Sequence, residues 1–524
     1  MAQNGMVWLL LASGLAFVLA ACSAAGGERP QGRLEVAVTE AGGGRLPCRV
    51  HLMAEGKPVY APGLPRFERD PHFCCPGEFA ADLPAGKVSL RIERGPEYAS
   101  FATELAIGEG QMVQLPVKLA RWIDMNERGW YSGDLHVHRP PGDMPLLLRA
   151  DDLNLAPDLT HWNQNHVAVR PPYLVEVTDG GAASPKPRCF HSLAQEDERA
   201  GGAILLFSLA QPIHIEGVTR DCPSGFAYHE RAIEQKAFIE VEKPFWWEAP
   251  VHVALGRVDT IGIVCNHFNR AGLLEGEAWG RPRDRARYPA GPLGFALNVL
   301  DLYYRYLNLG YQIPASAGSA SGVLANPLGY NRVYVQLDRF AYDAWFEGLR
   351  QGRNFVTNGP MPFVKVNGKL AGARFEVAKG AKFEGVVELE VLDRDPLEKA
   401  EVVVGGEVVA TFRPAADEPR RIAARHTLSL DRSTWIAVRA FEPVRGAVVR
   451  FAHTSPFYVT VGGQRPRDPE AARFYAAWLD ELIAATEKKQ AAAKDSKPFE
   501  PVLATYRRAR AVYAGAAELK NKGE

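Results

Sequence analysis

Residues 129–142 read GWYSGDLHVHRPPG, and the spacing inside DLHVH constrains the fold more than any other stretch. In an extended chain, residues two apart point the same way. Asp134, His136 and His138 then share one face, with Leu135 and Val137 on the other. Two neutral imidazoles held side by side suit a transition metal better than a hydrophobic core. The plainer alternative is an accidental pair of satisfied histidines. Arg139-Pro140-Pro141-Gly142 must stop a strand. The histidines therefore stand at a strand's C-terminal end, where α/β barrels build their sites.

The chain on either side supports such a body. At 524 residues it exceeds one compact core, and about three domains are expected. Residues 31–122 carry short alternating runs (RLEVAVTE, CRVHLMAE, KVSLRIERG, MVQLPVKLA) separated by Gly and Pro, the pattern of a small antiparallel β-sandwich. Between 123 and 362, apolar strands alternate with helical patterns: DMPLLLRADDLNLAP, AGGAILLFSLA, KAFIEVEKP, VDTIGIVCNHFNR and QIPASAGSASG. That rhythm implies a parallel α/β core. A helix is expected over 295–309, its aromatic stripe belonging to the core, and another over 341–352. Alternating strands over 363–462 predict a second β-sandwich. The tail, 463–524, reads as helix, a Lys/Ala-rich linker (KKQAAAKDSKP) and a further helix. No internal repeat is present.

The N-terminus reads as an export signal. Residues 6–25, MVWLLLASGLAFVLAACSAA, are apolar and small, with Leu19-Ala20-Ala21-Cys22 resembling a lipobox. The expectation is removal of residues before Cys22 and a periplasmic or cell-surface protein, lipid-anchored if Cys22 is modified. A membrane anchor is the alternative, although the run barely reaches the roughly 20 residues of a span. In an oxidising compartment disulfides are permitted, and Cys48 with Cys74 or Cys75 is the local pair. No C-x-x-C zinc spacing occurs.

Lys+Arg and Asp+Glu both number 61, which leaves no basic surface for nucleic acid or membrane. No Walker or dinucleotide fingerprint is present, and Gly318–Gly322 does not match a GxSxG nucleophile elbow. SAGSASG offers small residues whose backbone N–H groups could cradle an anion. EKPFWWEAP, with Trp247, could be a sugar-stacking platform or a barrel rim. HFNRAGLLEGEAWGRPRDRARYP brings Asn266, His267, Arg270 and Arg281, which suit an anionic oxygen; the alternative is an Arg/Glu salt-bridged loop.

Taken together, GWYSGDLHVH, IPASAG, GYNRVYV and GRNFVTNGP resemble the PHP (polymerase and histidinol phosphatase) superfamily and, within it, the exported CehA/McbA-like branch of metallohydrolases. The resemblance covers roughly residues 125–362. It implies a distorted (β/α)7-type barrel flanked by β-sandwiches, with two or three divalent metals at the strand C-termini and cleavage of phosphate or carbamate esters. The motifs are degenerate. Trp162 stands in Thr160-His161-Trp162-Asn163 where relatives carry a histidine. Ala320 replaces a ligand aspartate, and Glu242-Lys243-Pro244 occupies the place of a histidine before proline.

A full multinuclear centre is therefore not expected. The reading is a hydrolase using Zn, Mn or Fe, as a single ion, on His136 and His138 with Glu242 and His161. Glu242 and His267 are the expected catalytic residues; Arg270, Arg281, Trp247 and Asn266 the expected substrate contacts. The alternative is a barrel that has lost its chemistry and binds a small-molecule or glycan-like ligand.

Overall fold

The computed structural model describes residues 31–40, 43–178 and 186–518. The segment read as an export signal, with Cys22, lies outside the described residues. No helix among the described residues is long and apolar enough to cross a membrane. The chain is α/β, with many strands in several sheets and seven helices among the described residues.

In the N-terminal part a three-stranded and a six-stranded sheet enclose one apolar core that includes Leu34, Val36, Val50, Leu52, Leu90 and Ile92. Strand Cys48–Ala54 pairs with His72–Cys75 so that Cys48 lies opposite Cys75. Their thiols are 3.5 Å apart. Neighbouring Cys74 points instead into a cluster with Val137, Met144 and Leu148, where this part packs on the central one.

The central strands fall into a twelve-stranded and a seven-stranded sheet, with no single closed barrel among the described residues. Pairing within them is mixed rather than wholly parallel. Trp130–Gly133, Leu155–Pro157 and Arg188–His191 pair in parallel, as do Phe238–Val241, Thr260–Val264 and Ala315–Ala317. Gln195–Arg199 and Gly202–Phe207 pair antiparallel because only Ala200-Gly201 separates them, and a two-residue connection cannot make a parallel crossover. Gly202 takes φ +114°, and a Cβ there would stand 2.3 Å from the Trp246 side chain.

The helices match their apolar periodicity. Pro292–Asn308 buries Phe295, Val299, Tyr303 and Tyr306, and Tyr342–Arg350 buries Trp345 and Phe346. The C-terminal strands continue the twelve-stranded sheet through Phe451–Thr454, which pairs with Asn354–Thr357. In the tail, helix Pro469–Ala492 runs into the first part of the expected linker before helix Phe499–Glu518 packs back on it. Ala, Lys and Gln are strong helix formers, and Asp468 caps this helix by accepting from Glu470 N and Ala471 N.

Candidate metal centre

Strand Trp130–Gly133 ends one residue before Asp134, but the chain stays extended along 317–321. Leu135 N donates to Ala317 O, Val137 bridges Ser321, and His138 N donates to Ser321 O. The alternation read from the sequence holds: Leu135 and Val137 are fully buried in two apolar clusters, while His136 and His138 stand together on the other side. The glycines of SAGSASG permit this contact. A Cβ on Gly318 would lie 2.4 Å from the His136 Cβ, and one on Gly322 would lie 1.9 Å from His138 O. Two of the N–H groups of SAGSASG are engaged within the protein, that of Gly318 by Val264 O and that of Ser319 by Asp134. Ser319 N donates to Asp134 Oδ1, and Asp134 also accepts from His136 N and Gly329 N. Asp134 thus fixes the backbone around the histidines and spends its oxygens there. Ala320 is buried, with φ +50°.

His136 Nε2 and His138 Nε2 are 3.1 Å apart, and Glu196 Oε2 lies 3.5 and 3.0 Å from them. A tetrahedral zinc-like ion with ligands about 2.0–2.1 Å away sets its ligand atoms roughly 3.3 Å from one another. The three atoms therefore have the spacing of three corners of one coordination sphere. Glu196 Oε2 is buried with no hydrogen-bond partner. Burial alone would raise the Glu196 carboxyl; His136 and His138 more than reverse this and hold it below the usual carboxylate range.

Glu242 does not join this triangle. Its Oε1 lies 3.2 Å from Nδ1 of His136, the nitrogen facing away from the triangle. This is the carboxylate–histidine arrangement that fixes ring orientation and tautomer behind a metal ligand. Glu242 Oε2 accepts from Trp246 Nε1 at 2.7 Å and from Lys243 Nζ. Burial would raise Glu242, but Lys243 and His136 bring it down to about 2. Burial would lower His136, but Glu196 and Glu242 carry it up to about 10.

Two further acids surround the centre. Glu198, two residues along the strand from Glu196, shares its face and is pushed up to about 7 by burial and by Glu196; Trp162 Nε1 donates to it at 3.0 Å. Glu240 is raised well above the ordinary range by burial and sits against Thr260 Oγ1 at 3.3 Å. The strand ends at 134–138, 240–242, 264–267 and 316–320 thus converge: Gly318 N donates to Val264 O, and a Cβ on Gly262 would meet Glu242 O at 2.2 Å.

Other expected site residues have different partners. His161 packs its ring 4.8 Å from His166 and touches Thr160 Oγ1, outside the triangle; its neighbour Trp162 lies 4.8 Å from the His138 ring. His267 faces Leu274 O and Gly276 O through Nδ1, at 3.1 Å each, and stacks on Phe295. Burial and Lys243 push it down to about 4, so it is neutral near pH 7. Arg270 is held by Asp70, Glu93 and His51 at the junction with the N-terminal sheets, where it occupies the His51–Asp70–His72 group that otherwise has metal-ligand spacing. Arg281 forms a two-pronged pair with Glu481 and lies over Phe474 and Trp478. Trp247 packs edge-on to Trp478, and its carbonyl accepts the Trp478 indole N–H. Long apolar stems and rings on the rim were covered by helix Pro469–Ala492 because it has aromatic residues to bury. Asn266 is buried, with its Oδ1 unpaired and its carbonyl accepting from Asn326. Arg283 with Glu275 and Glu277 forms a salt-bridged loop.

Sequence reasoning missed Glu196, Glu198 and the support of Trp246. The available signal was QEDER, where strand alternation puts Glu196 and Glu198 on one face while Asp197 pairs with Arg199 on the other. Compared with known proteins, the chain matches no family model, no curated protein and no solved structure.

Proposed function

We propose that this chain is an exported, metal-dependent hydrolase of PHP-like type acting on a phosphate, carbamate or related ester through one divalent ion. The observation that carries this reading is the triangle of His136 Nε2, His138 Nε2 and Glu196 Oε2, with Glu242 behind His136. The convergence of parallel strand ends on that triangle supports a distorted barrel of the (β/α)7 type, with the flanking sheets as β-sandwiches. Three protein ligands leave a fourth position open, as catalytic rather than structural zinc sites do. His136, His138 and Glu196 would hold the ion, and the chemistry it would supply there is activation of a water and polarisation of the scissile ester.

The chain's own residues do the rest. With an ion bound, Glu242 would hold the His136 proton on Nδ1 and leave Nε2 to the metal, and Lys243 and Trp246 keep Glu242 in place. Glu198, near neutrality and fixed by the Trp162 N–H, is the group suited to take and return a proton. The rival reading, a decayed barrel that binds a ligand or glycan through its Trp/Arg-rich rim, is favoured by Ala320 and Trp162, but two of the rim residues, Trp247 and Arg281, are engaged by the C-terminal helix.

The test is hydrolysis of p-nitrophenyl phosphate and of an aryl carbamate by protein reconstituted with Zn²⁺ or Mn²⁺. Activity should vanish in H136A/H138A, and should fall about 10²–10⁴-fold in E198Q with metal content unchanged. Metal-loaded wild type with no activity on any ester of either class would refute the hydrolase reading.

A further inference from the structure

Two thiols meet in the N-terminal core. Strands Cys48–Ala54 and His72–Cys75 run antiparallel, with Cys48 opposite Cys75, Arg49 opposite Cys74 and Val50 opposite Phe73. Residues opposite one another in such a pair have Cα atoms about 4.5–5.5 Å apart, inside the range of about 4.4–6.8 Å that a disulfide spans. Cys48 and Cys75 turn into the same apolar core, both fully buried as free thiols, with their sulfurs 3.5 Å apart. Closing that gap to the roughly 2.0 Å of a disulfide moves each sulfur by less than about 1 Å.

Strand alternation decides between the two adjacent cysteines. Cys74 faces the other way, into the cluster of Val137, Met144 and Leu148. Cys189, Cys222 and Cys265 belong to the core of the central strands. The Cys48 thiol, with the Gly77 backbone behind it, holds Cys75 below its ordinary value against the opposing effect of burial. Cys75 in turn raises Cys48, and burial adds to this. Of the two, Cys75 therefore reaches the thiolate state more readily. The chain between them carries Arg49, which meets Asp151, and His51 and Asp70, which hold Arg270. A bond at the ends of this loop thus bears on the seam with the central strands.

We propose that Cys48 and Cys75 are joined by a disulfide in the mature protein, stapling the loop that docks the N-terminal sheets on the central strands. The proposal shares only the export part of the functional reading above, because an oxidising compartment supplies the oxidant. That oxidant is a disulfide carried by a small thiol compound or by another protein. The Cys75 thiolate attacks one of its sulfurs, forming a mixed disulfide and expelling a thiolate. Cys48, after losing its proton, attacks Cys75 Sγ and expels the second thiolate. The two electrons and two protons lost by the pair reappear as two thiols on the former oxidant. Both sulfurs are covered in the finished core, so the exchange belongs to the stage at which the 48–75 loop is still forming. The same core then shields the bond from reductant.

The experiment refolds the reduced full chain from guanidinium into a buffer of glutathione and glutathione disulfide. Free thiols are then alkylated, and the chain is digested with trypsin without reductant. Cleavage after Arg45, Arg49, Arg69 and Lys87 separates Cys48, on residues 46–49, from Cys74 and Cys75, on residues 70–87. These two peptides should be found joined, with fragmentation placing the bond on Cys75 and the alkyl group on Cys74. The link should persist in C74S and in H136A/H138A. The oxidised chain should resist dithiothreitol until denaturant is added, and should melt roughly 4–8 °C above the chain reduced in denaturant and refolded. Cells producing the chain, alkylated before lysis, should yield the same linked peptides. A bond from Cys48 to Cys74, or an alkylated Cys48 after refolding, would overturn the pairing, and neither reading depends on a variant that folds. A link made on refolding but missing from the alkylated cells would overturn the bond in the mature protein together with the export reading, so the two failures are told apart.

Discussion

The chain buries charge in two ways, and the contrast separates architecture from chemistry. At the seam between the N-terminal sheets and the central strands, every acid is answered by guanidinium. Asp152 receives Arg94, Arg121 and Arg188; Asp151 and Glu93 receive Arg49, and Glu93 with Asp70 receives Arg270. At the strand ends the acids meet imidazoles instead, and Glu196 Oε2 is left without a hydrogen bond. Arginine carries a permanent charge and five donors, so its pairs close on themselves. Imidazole can give up its Nε2 proton when a metal binds, so a carboxylate facing two of them can share a cation with them. The seam is held by permanent charges, the centre by groups that can exchange a proton for a metal.

Breaking the seam should have the largest effect. D152N leaves two buried guanidiniums and a half-buried third without their shared anion, and a loss of about 3–5 kcal/mol is expected by chemical denaturation. Metal bound per folded chain should not change. A D152N protein as stable as wild type would show that the seam contributes packing rather than charge.

Acid should open the seam next. Burial alone would raise Glu93, Asp70 and Asp152, but the facing guanidiniums of Arg49, Arg270 and Arg94, with His72 on Asp70, hold all three below the carboxylate range. A depressed native pKa means the unfolded chain binds more protons as pH falls. Stability from these groups is therefore complete above the ordinary carboxyl pKa of about 4 and lost progressively below it. Urea midpoints measured from pH 6 down to 3 should fall, and D152N should fall less steeply. Parallel slopes would remove Asp152 from that explanation.

Smaller changes sharpen the open centre. G318A must push the added methyl against His136 Cβ, now 2.4 Å away, and should weaken metal binding with a modest fall in Tm. E242Q keeps the shape behind His136 but loses the charge that orients it, and a weakening of about 10–100-fold in metal affinity is expected. Competition with a chromophoric chelator measures both. Metal affinity unchanged in E242Q would mean that His136 is oriented by packing alone.

Much of this was legible in the sequence, for identifiable reasons. The alternation in DLHVH placed His136 and His138 together because extended backbone has a strict period of two. Helices at 292–308 and 342–350 followed from their apolar spacing. Glu242 was found near the centre, but its role depends on which imidazole nitrogen it faces, and no pattern of letters encodes that. Glu196 was hidden in an acidic run that resembles a solvated strand until Leu205 on the next strand buries it. Arg270, Arg281 and Trp247 looked available because their partners, Asp70, Glu481 and Trp478, are about 200 or more residues away in sequence. Long-range partners decide whether a rim residue is free, and local pattern cannot supply them.

The central claim is that His136, His138 and Glu196 hold one ion. Its most direct measurement is elemental analysis of wild type, E196Q and H136A/H138A, each dialysed against Zn²⁺ or Mn²⁺ and freed of loose metal. About one ion per wild-type chain, with little in either variant, is the result the geometry predicts. Equal metal in all three proteins, or none in wild type, would contradict it.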